Sequence, residues 1–281
     1  KLKWVHTHIT SNAQANNMIK LFKQDPPKVG AFDTETNGLH IILSKPFLFQ
    51  FGWIAPDEQT GYTFVVDRER QPNLAKAVIK EWHKLAETLD VYLAHNVKFD
   101  LHMLHNIGMP YTVENLSDTM FYIRYAHDAL TPAYGGPSLK LKDYAARFIA
   151  PNAKTHEKLL DQEKTAIAKE LNAKLKLRLA NSGVNPEQFN AKSYTLKVIK
   201  DLFSDPIADY TDLPSGLQEA YLDWVQQDLP LYLQQKVTGL VESGMISYQT
   251  LNRDNIIHYG HLDIVWVLET YLKLAPVVEA R

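Results

Sequence analysis

The sequence predicts an α/β fold, a mixed β-sheet flanked by helices, with a mainly α-helical second half. Three observations support this expectation. Strand-like and helix-like apolar periods alternate over roughly the first 107 residues, three strand-like runs joined by turns follow one another between Val29 and Val66, and helical periodicity dominates from Ser117 onward. Of the 281 residues 45% are hydrophobic and 22% are charged, which excludes a disordered or fibrous protein.

The individual elements follow from periodicity and turn chemistry. A strand at 4–9 precedes a helix at 12–23, which Pro26-Pro27 ends. Turns at Asn37-Gly38 and at residues 56–60 separate three strands, at 29–32, 46–54 and 61–66, which form a meander. A helix at 74–89, a buried strand at 91–94 and a helix at 98–107 complete the α/β half. Further helices are predicted at 118–127, 139–148, 158–179, 217–239 and 264–274, with a loop at 181–190.

Composition excludes several classes of protein. The absence of cysteine removes disulfides, thiolate nucleophiles and cysteine-ligated metal centres. No apolar run reaches the length of a membrane span, so no membrane partner is expected, and the N-terminus does not have the pattern of a signal peptide. We therefore expect a cytoplasmic protein. A start at Lys1 without an initiator methionine suggests an excised piece.

Charge is segregated in the second half although the whole chain carries only −2. Residues 137–200 hold 13 Lys and Arg against 6 Asp and Glu, a local charge of +7, whereas residues 201–235 hold seven acids and neither Lys nor Arg. The basic segment either faces phosphates or merely solvates a long helix, and the sequence leaves both interpretations open.

A pair of carboxylates follows the predicted strand at 29–32. Strand alternation places Asp33 and Glu35 on one side of the sheet edge, where two carboxylates can share a hard cation. The spacing alone is weak, since two further copies read as ordinary surface charge: Asp67-x-Glu69, which neighbours Arg68 and Arg70, and Asp161-x-Glu163.

Two more constellations carry polar groups at element starts. Asn96 and Asp100 begin the helix after the buried strand, where the ordinary roles are a helix N-cap and a first-turn acid. Tyr259 and Asp263 lie four residues apart and therefore on one helical face. A rival pair is rejected because tryptophan has no hydroxyl and Pro230 would break its helix: Trp224 and Asp228.

In chain order, three segments resemble the motifs of the DEDD exonuclease superfamily in its tyrosine subtype, and in particular the proofreading 3′→5′ exonuclease domain of family A DNA polymerases. They are Phe32-Asp33-Thr34-Glu35-Thr36-Asn37-Gly38-Leu39, His95-Asn96-Val97-Lys98-Phe99-Asp100 and Tyr259-x-x-x-Asp263. Residues 117–120 and 139–145 resemble further family segments. The likeness predicts one exonuclease domain with a core of residues 1–150 and 250–281 and a helical insertion at about 151–250. The unusual insertion favours a bacteriophage polymerase as the source.

The resemblance implies a ribonuclease H-like fold and a site that holds two Mg²⁺ or Mn²⁺ ions on Asp33, Glu35, Asp100 and Asp263. It implies that Tyr259 orients the attacking water and that 5′-mononucleotides leave the 3′ end of single-stranded DNA. The chain would then be the proofreading part of a replicative polymerase whose covalently linked polymerase domain is absent, at work in the bacterial host cytoplasm if phage-encoded. Substrate contacts are expected from Thr36, Leu39, Asn96, Lys140, Lys142 and Arg147.

Other classes of function remain alternatives. A free-standing DEDD exonuclease acting on RNA or DNA would have the same site, and a non-catalytic scaffold could retain the fold. A metal phosphohydrolase built on His127-Asp128 has too few ligands to be favoured. His261 flanks the proposed site, either as an orienting partner of a carboxylate or as solvated surface.

Overall fold

A computed structural model describes residues 2–111, 114–128, 135–181, 215–229 and 241–280. The strands are β1 (Lys3–Ile9), β2 (Val29–Thr36), β3 (Pro46–Ile54), β4 (Thr60–Asp67), β5 (Val91–Ala94) and β6 (Leu116–Asp118). The helices are α1 (Asn12–Gln24), α2 (Pro72–Ala86), α3 (Val97–Asn106), α4 (Thr119–Ala126), α5 (Leu141–Phe148), α6 (Thr155–Asn181), α7 (Ser215–Gln227) and α8 (Arg253–Glu279). Single 3₁₀ turns lie at Ser243–Met245 and Tyr248–Thr250.

The six strands form one mixed sheet in the order β1-β4-β3-β2-β5-β6. The predicted meander is confirmed, since β2, β3 and β4 pair antiparallel. The outer pairings of β1 with β4, β2 with β5 and β5 with β6 are parallel. The structure is therefore the mixed sheet with flanking helices of the ribonuclease H-like class, as the sequence predicts.

Strand alternation divides the core between the two faces of the sheet. Phe32 of β2 belongs to the apolar cluster that also contains residues of α1 and α2. Ala31, one residue earlier, belongs to the cluster formed with α5 and α8. Because successive side chains point to opposite faces, Asp33 and Glu35 share the face of Ala31 and so point to the side that α8 covers.

Helix α8 approaches the sheet closely because the strand beneath it carries a glycine. A Cβ added at Gly52 would lie 2.8 Å from Cγ2 of Ile264 and would also meet the backbone oxygen of Tyr62. The N-terminus of α8 is capped by Asn252, whose Oδ1 accepts hydrogen bonds from the backbone N–H groups of Asp254 and Asn255. The close contact brings the middle of α8 to the carboxylates of β2.

The structure corrects three predicted elements. Strand β2 runs to Thr36, so Asp33 and Glu35 lie within the strand and not beyond its end. Helix α8 begins at Arg253, eleven residues before the predicted start, so Tyr259 and Asp263 lie inside the helix. The three-residue strand β6 was not predicted, because the strand signal fades from Ser117.

Contacts divide the chain into two compact units, Lys1–Lys158 with Leu251–Arg281, and Leu159–Thr250. The first unit contains the sheet. In the second, Trp224 is fully buried and its Nε1 donates to the backbone oxygen of Leu171 at 3.1 Å, while Arg178 Nε donates to Asp228 at 2.7 Å. The assignment of residues 151–250 as an insertion in one exonuclease domain stays a prediction.

Two predictions fall on residues that the structure does not describe. The loop predicted at 181–190 lies outside the described residues except for its first position. The helix predicted at 217–239 corresponds to α7, which is described over Ser215–Gln227, and residues 230–239 of the prediction lie outside the described residues. Within the described part of the chain, no helix has the length and apolarity needed to cross a membrane.

Candidate active site

Three buried or partly buried carboxylates converge between β2 and α8. Asp33, Glu35 and Asp263 each offer an oxygen, and these three oxygens lie within 4.8 Å of one another. Glu35 and Asp263 are 6% and 5% exposed. The structure therefore brings together three of the four acids that the resemblance assigns to metal binding, from segments 228 residues apart in the chain.

A glutamine that the sequence reasoning did not single out lies against two of these acids. Gln50 of β3 is the register partner of Asp33 across the antiparallel pair, so both side chains share one face. Its Nε2 donates to Oδ2 of Asp33 at 2.9 Å and to Oε1 of Glu35 at 3.2 Å. Gln50 can be recognised as a neighbour of Asp33 only from the pairing register of β2 and β3, and this register cannot be predicted from the periodicity of the sequence.

A lysine connects the remaining polar groups of the site. The ammonium of Lys142, on α5, lies 2.6 Å from Oδ1 of Asp263 and donates a hydrogen bond to the hydroxyl of Tyr259. The same ammonium lies 3.6 Å from the centre of the Tyr259 ring. Tyr259 and Asp263 share one face of α8, as their spacing predicts, and Lys142 holds the two side chains together.

Asp100 lies beside the cluster and is held separately. It is 1% exposed, and Thr34 Oγ1 donates to its Oδ1 at 2.6 Å. Asn96 is the N-cap residue of α3 and Asp100 lies in the first turn, as predicted, but the Asn96 side chain makes no capping bond and its φ of 66° is left-handed. Asp118 caps the helix instead, because its two carboxylate oxygens accept from the backbone N–H groups of Asn96 and Val97 at 3.0 Å.

Burial disfavours the charged forms of all four acids, and repulsion within the group adds to this effect for Asp33, Glu35 and Asp100. Burial, and then the charge of Asp263, raise the pKa of Asp33 to about 7. The pKa of Glu35 is raised well above its usual range by burial and by Asp263 and Asp33, and that of Asp100 by burial and by Asp33. Burial also raises the pKa of Asp263, which Lys142 partly opposes. The cluster is short of positive charge, and a bound cation would supply it.

The donor set fits a hard divalent cation. The three clustered groups are carboxylates, the chain has no cysteine, and no histidine belongs to this cluster. Oxygen donors of this kind suit Mg²⁺ or Mn²⁺ better than the nitrogen- and sulfur-preferring Zn²⁺. Asp33, Glu35 and Asp263 would hold the metal, with Asp100 a further carboxylate whose charge acts on Glu35.

A cavity of about 550 Å³ adjoins the site at Lys142. Three of the residues expected to contact substrate line it, namely Asn96, Lys140 and Lys142, together with His95, Lys154 and Glu157. The structure thus brings half of the predicted substrate residues to one cavity beside the acids. Their role in binding stays a prediction.

The other predicted substrate residues lie elsewhere. Leu39 is 84% exposed in the loop between β2 and β3, so its apolar side chain is available for contact. Thr36 is the last residue of β2 before that loop, and its Oγ1 donates to the backbone oxygen of Gly38 at 2.6 Å. Arg147 is exposed on α5, with its guanidinium 4.9 Å from the centre of the Phe148 ring.

The second Asp-x-Glu pair has an ordinary structural explanation. Arg253 lies 3.3 Å from Asp67 and forms an ion pair with Glu69. Arg70 lies 3.7 Å from Asp67, whereas Arg68 donates to the backbone oxygen of Pro46. Asp67 and Glu69 are therefore neutralised by arginines and do not form a cation site.

The structure also places the residues of the other candidate sites, namely the rival Trp224–Asp228 pair, His127 and His261. Asp228 of the rival motif is bonded to Arg178, and Trp224 is a core residue. His127 is not part of the one carboxylate or histidine cluster found among the described residues. His261 is 4% exposed and bonds Thr63 Oγ1 at 2.8 Å, so the predictions of carboxylate contact and of solvated surface are both wrong for it.

Residues 6–173, more than half of the chain, match the model of a single protein family described as 3′-5′ exonuclease. The chain belongs to this 3′-5′ exonuclease family. Among curated proteins no match is found.

Several solved structures are similar to the chain at low identity. NrnC of Brucella melitensis bound to pGG is 17% identical, with a TM-score of 0.31, over 53% of this chain and 60% of that chain. The catalytic core of RRP6 from Trypanosoma brucei is 16% identical, with a TM-score of 0.36, over 52% of this chain and 35% of that one. RNase D of Escherichia coli, described as an exoribonuclease involved in structured RNA processing, is 13% identical, with a TM-score of 0.41, over 98% and 46%. The match spans three fifths or less of each of these chains.

Proposed function

We propose that the chain is a divalent-metal-dependent exonuclease that removes 5′-mononucleotides one at a time from the 3′ end of a single-stranded nucleic acid. The observation that supports this proposal is the convergence of Asp33, Glu35 and Asp263 beside the Lys142–Tyr259 pair. Carboxylates that repel one another in a buried site are suited to binding cations, and the adjoining cavity is lined by lysines that can neutralise phosphates.

The reaction is hydrolysis of the last phosphodiester bond. A water oxygen forms a bond to phosphorus, the bond from phosphorus to the 3′ oxygen breaks, and that oxygen leaves with a proton as the new 3′ hydroxyl. Two bound Mg²⁺ or Mn²⁺ ions would lower the pKa of the water and stabilise the charge on the departing oxygen. Tyr259 orients the water through its hydroxyl, and Lys142 fixes that hydroxyl and offers an ammonium to the phosphate.

Two substrates are compatible with this chemistry. The sequence motifs favour DNA, with the exonuclease proofreading for a linked polymerase domain during replication. The alternative, a free-standing exonuclease, needs no polymerase and acts on RNA or DNA. Contacts to the backbone and to the faces of bases do not depend on base sequence, so either strand can be degraded without sequence preference.

The test uses 5′-labelled single-stranded DNA and RNA of identical sequence. With Mg²⁺ we expect a ladder that shortens from the 3′ end, and with EDTA no degradation. Asp33→Asn should lower the rate at least about 100-fold, since changes merely next to a metal ligand already cost 10–100-fold. Asp161→Asn is the matched control, since Asp161 is the exposed aspartate of the third Asp-x-Glu pair, and it should keep the wild-type rate.

Three other outcomes would change the proposal. Intact DNA and RNA under both Mg²⁺ and Mn²⁺ would contradict exonuclease activity and favour the scaffold. Wild-type degradation by Asp33→Asn would contradict the assigned site. Cleavage of RNA with DNA intact would favour the free-standing ribonuclease over the proofreading domain.

A further inference from the structure

The amide of Gln50 has an unusual distribution of hydrogen bonds. Its side chain is fully buried, and Nε2 donates to two different carboxylates, Asp33 and Glu35, at 2.9 and 3.2 Å. An amide nitrogen has two hydrogens, so this one uses both of its donors on the acids of the site.

The same amide leaves its other atom without a partner. Oε1 of Gln50 is buried and accepts no hydrogen bond among the described residues. A buried acceptor without a partner has lost its hydrogen bond to water and gained none, so this arrangement is unfavourable for the glutamine itself. Turning the amide over would place Oε1 against two carboxylate oxygens, which repel it. The orientation is therefore set by the acids.

Helix α8 holds the amide in place from above. A Cβ added at Gly260 would lie 3.3 Å from Cδ of Gln50 and 3.5 Å from both its Nε2 and its Oε1. Because Gly260 has no side chain, the backbone of α8 can approach the Gln50 amide closely at this position, which lies between Tyr259 and Asp263 in the helix. The Gln50 amide is thus packed closely between β3 and the Gly260 turn of α8.

We propose that Gln50 is a positioning residue for the metal site, whose amide holds Asp33 and Glu35 in the orientation that a divalent cation requires. The inference rests on the proposed metal-dependent function. Two neighbouring carboxylates turn apart when nothing holds them, and aligning them costs part of the free energy of metal binding. Gln50 aligns them before the metal arrives, so it strengthens metal binding without touching metal or substrate.

The experiment measures binding of Mg²⁺, and separately of Mn²⁺, by titration calorimetry without nucleic acid. Gln50→Met keeps the length of the side chain and removes both donors, and it should weaken metal binding about 10-fold. Gln71→Met is the matched control, because the Gln71 amide donates to the backbone oxygen of Thr10, 3.0 Å away, and its Oε1 is likewise unpartnered. Its metal affinity should equal that of the wild type.

A second variant keeps the inference testable if Gln50→Met does not fold. Gly260→Ala retains the donors and displaces the amide, and it should weaken metal binding in the same direction by a smaller factor. A folded Gln50→Met chain with wild-type affinity would overturn the inference, and so would a wild-type chain that binds neither metal. Because the readout omits substrate, a wild-type chain that binds metal but degrades no nucleic acid would overturn the proposed function alone.

Discussion

Lys142 is the residue whose contacts differ most from the sequence-based expectation. It was predicted to contact phosphate, and it lies with its ammonium 2.6 Å from Asp263 and bonded to the Tyr259 hydroxyl. Both groups belong to the proposed catalytic set. Lys142 therefore supplies positive charge inside the acidic site, where it lowers the repulsion among the carboxylates.

Replacing Lys142 should change the affinity for metal and the affinity for substrate in opposite directions. In Lys142→Met the ammonium no longer repels a cation beside Asp263, so the Mg²⁺ concentration for half-maximal activity should fall several-fold. The same variant would lose the proposed contact to phosphate and should raise KM for the oligonucleotide at least about 10-fold, because a hydrogen bond to a charged group contributes roughly 1.5–3 kcal/mol. Steady-state rates over a grid of Mg²⁺ and substrate concentrations measure both.

Lys140→Met is the comparison, since Lys140 lines the same cavity but is exposed and forms no ion pair with Asp33, Glu35, Asp100 or Asp263 in the described part of the chain. We expect a smaller rise in KM and an unchanged requirement for Mg²⁺. A higher Mg²⁺ requirement in Lys142→Met would show that the lysine assists the metal and does not compete with it.

At the scale of elements, the position of α8 on the sheet determines the site. Gly52 of β3 lies under Ile264, one residue beyond Asp263, and has no room for a side chain. Gly52→Ala should destabilise the fold by about 1–3 kcal/mol, because the added methyl meets backbone on one side and a packed helix on the other. The free energy of unfolding from urea titration measures this.

Gly244→Ala is the control for that substitution, since a Cβ at Gly244 meets nothing within 4 Å. It should change the free energy of unfolding by only a few tenths of a kcal/mol. Equal stability of Gly52→Ala and the wild type would contradict the close packing of α8 on β3.

The elements also show where the sequence is informative. Strands bounded by turns were predicted closely, and the strands at 46–54 and 91–94 match β3 and β5. The start of α8 was missed because this helix is buried on most of its surface and so lacks the apolar stripe of an amphipathic helix. Strand β6 was missed because three residues are too few for a periodicity.

The same contrast holds for the site. Asp33, Glu35, Asp100, Tyr259 and Asp263 could be selected from the sequence because their segments resemble the motifs of the DEDD exonucleases, whereas their spacing alone is weak. Gln50 could not, because its role depends on the register between β2 and β3. The partner of Lys142 could not either, because it lies 121 residues further along the chain.

At the scale of the whole molecule, the basic segment at 137–200 is partly neutralised by the acidic segment that follows it. Arg178 forms ion pairs with Asp223 and Asp228, and Lys174 lies 3.9 Å from Asp228 and 3.1 Å from Glu170. Part of the local charge of +7 therefore serves contacts within the second unit. The lysines at the cavity beside the acids are the better candidates for contact with phosphates.

The stability of the whole chain should report on the charge of the acidic site. Asp33 has a pKa of about 7, raised by burial and by Asp263, so its protonated form stabilises the fold. That contribution is present at low pH and is lost as the pH rises through about 7. Histidines with a lowered pKa, such as His83 at about 4, act in the opposite sense until the unfolded-state histidine has lost its proton, about one pH unit above its ordinary value of 6.5.

The histidines are the same in the wild type and in Asp33→Asn, so the difference in Tm between these two metal-free chains in EDTA isolates the acid. The wild-type Tm should fall relative to that of Asp33→Asn as the pH rises from about 6 to about 8. Mg²⁺ should raise the wild-type Tm and reduce this relative fall, because a bound cation stabilises the charged carboxylates. Thermal unfolding followed by circular dichroism measures both, and a Tm difference in EDTA that rises or stays constant with pH would contradict the assigned electrostatics.

The most direct test of exonuclease function is to identify the first product released from an oligonucleotide labelled in its 3′-terminal nucleotide. Under single-turnover conditions with Mg²⁺, we predict that all of the initial label leaves as the 5′-mononucleotide and that EDTA abolishes its release. Release of the label as an oligonucleotide or as a nucleoside 3′-phosphate, or release that persists in EDTA, would contradict a metal-dependent 3′→5′ exonuclease.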